Sequence, residues 1–97
     1  MANDFRVRQR LTERGIAIPE NTWFLGAYQQ MIEIHEPMRF MFVIETTEAI
    51  MSKIINENES IGRLCRGEWV QLVIMDPDTG ELSQFKAGKF VAYQADP

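Results

Sequence analysis

Three observations predict a small α/β (α+β) domain whose mixed sheet is built around a βαβ unit and closed by a C-terminal β-hairpin. Two mainly apolar runs, the continuous Phe40-Met41-Phe42-Val43-Ile44 and Trp69 to Met75 with Gln71 inside it, read as buried strands, the first of them covered on both faces. The segment between them carries apolar residues at helical spacing and is long enough for a parallel crossover. After the second run, Asp76-Pro77-Asp78-Thr79-Gly80 is a turn by composition, followed by two short strand-like segments. At 97 residues the chain has room for one domain, 1–97, in which residues 1–28 supply an N-terminal helix and aromatic strand and residues 30–97 the βαβ unit and hairpin.

Taken in order, Asn3 or Asp4 is placed to cap a helix running to about Arg14, with Phe5 or Val7 and Leu11 on one side and Arg6, Arg8, Arg10 and Arg14 around the rest. Gly15 ends it. Ile16 to Pro19 is extended because Pro19 disfavours helix at the residue before it, and Glu20-Asn21 is a turn. Thr22 to Tyr28 is aromatic and suits a strand, with Gly26 marking a bulge or a close backbone approach. Gln29 to His35 alternates like a half-buried strand or connector before Pro37 interrupts pairing.

After the first apolar run, Thr46 or Thr47 is the expected cap of a helix with Ile50, Met51, Ile54 and Ile55 on its apolar stripe and Glu48, Lys53 and Glu57 outside. Ser60 opens a second short helix carrying Ile61, Leu64 and Cys65, and Gly67 stands just past its end. The two helices lead to the second apolar run, which predicts a right-handed βαβ unit. Glu81 to Lys86 and Lys89 to Gln94 pair as a hairpin across Ala87-Gly88.

Composition excludes several function classes. Ten Lys and Arg against fourteen Asp and Glu leave a net charge of -4, which lacks the basic field of a non-specific nucleic-acid binder. No stretch approaches the roughly 20 apolar residues of a membrane span, and the N-terminus has no signal-like apolar core, so a cytoplasmic location is expected. The one Cys forms no internal disulfide, in keeping with a reducing compartment.

Zinc takes three or four converging Cys, His or carboxylate ligands, whereas this chain has one His and one Cys, His35 and Cys65. Cys65 lies on an apolar helix face, where a free thiol packs as a small hydrophobe. His35-Glu36 is a candidate proton-transfer pair, although neighbours on an extended segment point to opposite faces and the plainer reading is a structural or surface histidine. Asp76 and Asp78 lack the spacing and the distal Glu of a calcium loop. Isolated glycines provide no phosphate cradle. The remaining candidates form an interaction surface: Trp23, Phe24 and Tyr28, three large aromatics in one short segment, with Arg6 and Arg10 nearby on the first helix. Met1 to Pro37 shows less self-contained packing than the βαβ region, which suggests that it completes its burial against another chain.

Two blocks resemble a known family, the large DabA-type subunit of energy-coupled inorganic carbon transporters. Arg14-Gly15-Ile16-Ala17-Ile18-Pro19 with Thr22-Trp23-Phe24-Leu25-Gly26-Ala27-Tyr28 is similar to one stretch of it. His35-Glu36-Pro37-Met38-Arg39, Phe42-Val43-Ile44-Glu45 and Trp69-Val70-Gln71-Leu72 are similar to its C-terminal segment. The blocks meet near Tyr28, where Gln29-Gln30 replaces the phrase that follows the first block in longer members. In the family a zinc site similar to that of β-class carbonic anhydrases lies before the first block, so none of its ligands carries over to a residue here. The resemblance therefore implies a shortened relative of the large subunit that binds protein and is not an enzyme by itself. Its implied partner is the proton-channelling membrane subunit, or a second copy, at the cytoplasmic face of the membrane, and no cofactor is expected in this chain. Two other readings stay open: part of a zinc-dependent carbon dioxide hydrating enzyme completed by another chain, and a free-standing regulatory or oligomerising domain.

Overall fold

The two apolar runs lie side by side inside a five-stranded sheet in a computed structural model that describes residues 2–18, 22–33, 40–67 and 70–94. The elements in chain order are α1 (Ala2–Glu13), β1 (Thr22–Leu25), a short 3-10 helix (Tyr28–Glu33), β2 (Phe40–Glu45), α2 (Glu48–Glu57), α3 (Glu59–Arg66), β3 (Val70–Met75), β4 (Leu82–Lys86) and β5 (Lys89–Ala92). Strand order follows chain order, β1-β2-β3-β4-β5. The pairs β1/β2 and β2/β3 are parallel, with Phe24 opposite Val43 and Val43 opposite Val73, whereas β3/β4 and β4/β5 are antiparallel. The fold is α/β with a mixed sheet, as the sequence predicts.

Period-two alternation divides the core into two layers. On one face Met41, Val43, Val73, Met75 and Leu82 pack under Val7 and Leu11 of α1. On the other, Phe42, Ile44, Leu72 and Ile74 pack under Met51, Ile55, Ile61 and Cys65 of the two helices and Met31 of the 3-10 helix. Met41 to Ile44 of β2 and Leu72 to Met75 of β3 are buried on both sides, so these stretches show no polar alternation in sequence, whereas Gln71 near the start of β3 is exposed.

Local chemistry sets the ends of the helices. Gly15, at φ 69, closes α1: its N–H donates to Thr12 O at 3.0 Å and Ile16 N–H to Leu11 O at 3.0 Å, a Schellman pattern that needs a left-handed residue at this point. Thr47 Oγ1 accepts from Ile50 N–H at 3.2 Å and caps α2. Asn58 serves two helices, its backbone N–H closing α2 on Ile54 O at 2.9 Å and its side chain accepting from Ile61 N–H at 3.1 Å to open α3.

Several expectations are corrected. α1 begins at Ala2, so Asn3 and Asp4 fall in its first turn and not before it. Asn58, not Ser60, caps α3, because the helix already starts at Glu59 and Asn58 stands three residues before Ile61, whose N–H its side chain accepts at N-cap spacing. The aromatic strand stops at Leu25, and Gly26 lies in a bend after it, not in a bulge. From Tyr28 the chain winds into the 3-10 helix where an extended segment was expected. Gln30 explains this: its Oε1 accepts from Gly26 N–H at 2.7 Å and Ala27 N–H at 3.2 Å, and these local bonds compete with strand pairing.

Ile50 is 54% exposed and lies off the apolar stripe, since about 100° per residue separates it from Met51 on the wheel and α2 touches the sheet through Met51 and Ile55. The N-terminal segment is also better covered than expected: Val7, Leu11, Leu25 and Met31 are buried within this chain. Pro19, the Glu20-Asn21 turn, Pro37 and Trp69 lie outside the described residues.

Candidate functional site

The residues singled out as an interaction surface gather where α1 crosses the outer strand β1, but they do different things there. Trp23 stands on the α2/α3 side of the sheet, in register with Phe42, and is 41% exposed because β1 is the end of the sheet and the helices on that side cover β2 and β3. Phe24, on the opposite face, is half-buried against the α1 layer, and the Arg8 guanidinium sits 4.4 Å above its ring. That geometry is a cation–π contact, worth about 0.5–1 kcal/mol at an exposed position. Tyr28 opens the 3-10 helix and is partly buried against the larger core cluster. Its position is set by the bend at Gly26, which turns it away from the line of the strand.

Arg6 and Arg10 point the other way around α1. Arg6 Nη2 donates to Pro77 O at 3.1 Å, and its Nε stands 3.4 Å from Glu45 Oε2, at the end of β2. The Arg10 guanidinium lies against Gly80, where a Cβ would come within 3.5 Å of it. Both arginines therefore hold α1 to the turn between β3 and β4. Sequence reasoning passed over Arg8 as an individual candidate, and the signal that could have marked it is helical phase: Arg8 falls on the β1 side of the Val7/Leu11 stripe.

The turn itself is structural. Asp76 Oδ1 accepts from Asp78 N–H at 2.8 Å and Thr79 N–H at 2.9 Å, an Asx turn whose two backbone bonds hold the carboxyl below its ordinary range. At the C-terminal ends of β2 and β3 a cleft of about 450 Å³ opens between Thr46, Thr47, Glu48, Asp76, Glu81 and Ser83. Its groups are turned on one another, with the Ser83 hydroxyl donating to Glu48 Oε1 at 3.1 Å and Thr47 capping α2. Three carboxylates at this rim oppose the binding of an anion at the helix N-terminus.

The described residues do not fit zinc. Among them no group of three or more His, Cys, Asp or Glu could hold a metal ion. Cys65 is buried in the larger cluster, and burial pushes its thiol up to about 11 while Arg66 pulls the other way. His35 and Glu36 lie outside the described residues.

The family model described as "Probable inorganic carbon transporter subunit DabA" matches the chain in two stretches, residues 1–31 and 26–70, which overlap around Tyr28. A "Probable inorganic carbon transporter subunit DabA 2" from Rhodopirellula baltica is 55% identical over 65 residues, 67% of this chain and 6% of the relative. A protein of the same description from Sorangium cellulosum is 37% identical over 68 residues, 70% of this chain and 7% of its own length. A "Probable inorganic carbon transporter subunit DabA" from Azotobacter vinelandii is 37% identical over 70 residues, 72% of this chain and 8% of its own length. The chain thus spans less than a tenth of the curated relatives it matches. No solved structure matches it significantly.

Proposed function

The chain belongs to the DabA family of inorganic carbon transporter subunits, and from that membership we propose that it works as a protein-interaction module of such a system, without a catalytic site of its own. The observation that carries this reading is Trp23: a large aromatic 41% exposed on the outer strand, beside the buried strand β2. Exposed aromatics of this kind anchor protein interfaces, because they bury much area at little conformational cost. The name "subunit" carried by the relatives supports an assembled role.

The proposed partner is the membrane subunit of the transporter, with the chain seated at the cytoplasmic face. No helix among the described residues is long and apolar enough to cross a membrane, so attachment would come through that subunit. The test is co-purification of the tagged chain with the membrane subunit from detergent extracts, with the native mass and metal content measured on the same samples. A metal-free complex that is lost in Trp23→Ala, with the thermal melting of that variant unchanged, is the expected result. A complex indifferent to Trp23, or an isolated monomer that purifies with stoichiometric zinc, would overturn the reading.

A further inference from the structure

The part of the chain before β2 grips that strand on three sides. Along its edge, Thr22 to Leu25 pairs in parallel register with Met41 to Ile44. On one face α1 adds Val7 and Leu11 to the layer of Met41 and Val43, and on the other the 3-10 helix adds Met31 to the layer of Phe42 and Ile44. This first part has no core of its own: its buried residues Val7, Leu11, Leu25 and Met31 all belong to clusters with residues of the later strands. Its one strand is four residues long, and a lone strand of that length leaves its backbone groups unpaired.

The family match divides the chain at the same place. Its stretches 1–31 and 26–70 share residues 26–31, so they are two separate matches and not one continuous alignment. β1 falls only in the first stretch and β2 only in the second. The strand pair that joins the two parts therefore lies across the division.

We propose that the seam between β1 and β2 is an interface between two separable parts: β2, with the apolar layer on each of its faces, is the seat for an α1–β1 segment, and in the longer relatives the segment that fills it comes from a distant part of the chain. Where the two stretches lie far apart in sequence, no short link brings them together. Recognition then resides in the backbone pairing and in the side chains that enter the two layers. In this chain the six residues 34–39 make the same interface intramolecular.

The test starts from the full chain with a protease recognition sequence inserted between His35 and Glu36, folded first and then cut. The two pieces are expected to elute together at the native mass of the parent. A labelled synthetic peptide of residues 1–33 is expected to exchange into the cut protein, and so is the segment of a longer family member matched to residues 1–31, whereas a scrambled peptide of the same composition is not. Leu11→Asp and Leu25→Asp in the peptide should each lower its affinity about tenfold or more, since each places a charge in a buried layer. Separation of the pieces on cutting, or failure of either unscrambled peptide to exchange, would overturn the proposal. If the insertion prevents folding, a second measurement decides. Cysteines placed in the full-length family member at the positions matching Phe24 and Val43, which stand opposite each other in register here, are expected to cross-link and close the chain between them. Unlinked thiols in the folded family member would overturn the proposal equally, and either failure leaves the Trp23 reading to its own co-purification test.

Discussion

Gly62 shows how closely single positions are determined. It lies in α3 where that helix meets the end of α2, and a Cβ there would stand 2.6 Å from Ile55 O and 2.6 Å from Arg66 Nη1. The arginine tip can move, but the carbonyl belongs to α2 and cannot. Gly62→Ala is therefore expected to destabilise the chain, because overpacking of about 1–3 kcal/mol exceeds the ~1 kcal/mol of helix propensity that alanine adds. A denaturant midpoint equal to or above that of the parent would show that α2 and α3 yield more than this geometry implies. Cys65 makes a pH-dependent prediction. Its folded thiol holds its proton up to about 11, against an ordinary value of 9.0. The folded state then binds more protons than the unfolded state between these values, so this contribution to stability is intact below 9.0 and is lost as pH rises towards about 11. Comparison of the parent with Cys65→Ala by denaturation at pH 8, 9 and 10.5 isolates the effect, and identical slopes in the two proteins would refute it. At the residue scale the burial of Cys65 was legible from its helical phase, whereas the tight approach at Gly62 was not, since only the packing of α3 on α2 creates it.

Among the elements, the hairpin is the most legible and the segment after β1 the least. Ala87 and Gly88 have φ of 53° and 82°, so both central residues of the turn are left-handed. This turn matches the twist of the flanking strands, and its preferred first residue is asparagine. Ala87→Asn is expected to raise stability by about 0.5–1 kcal/mol, since the left-handed region is costly for alanine. An unchanged or lowered thermal midpoint would count against the turn assignment. The 3-10 helix shows the opposite case. Met31, Ile32 and their neighbours alternate in a way that fits a strand, yet Gln30 satisfies the backbone of Gly26 and Ala27 and Met31 drops into the core beside α3. A single glutamine side chain decides between two local structures of similar propensity, and periodicity carries no record of that bond. The double use of Asn58 is of the same kind: its residue type suits a cap, but which helix end it serves depends on where both helices stop.

In the whole molecule, α1 is what joins the N-terminal segment to the rest. Leu11 is buried beneath it against Val43 and Val73, and Arg6 and Arg10 fasten it to the turn that follows β3. Leu11→Ala should cost about 2–5 kcal/mol in the isolated chain, as a core leucine lost to a cavity. Loss of less than about 1 kcal/mol in urea unfolding would mean that this segment waits for a partner before it packs, the expectation that the structure corrects. By itself the sequence determined the α/β class, the parallel crossover between the two apolar runs, the hairpin and the family, because strand burial, helical spacing, turn chemistry and residue identity are all written locally along the chain. Only the tertiary structure decided which aromatics face outward and which arginines are engaged within the fold. Those properties depend on the order of strands and on which helix covers which face. The same Trp-Phe pair would be core in a central strand, and at the outer strand it leaves Trp23 41% exposed.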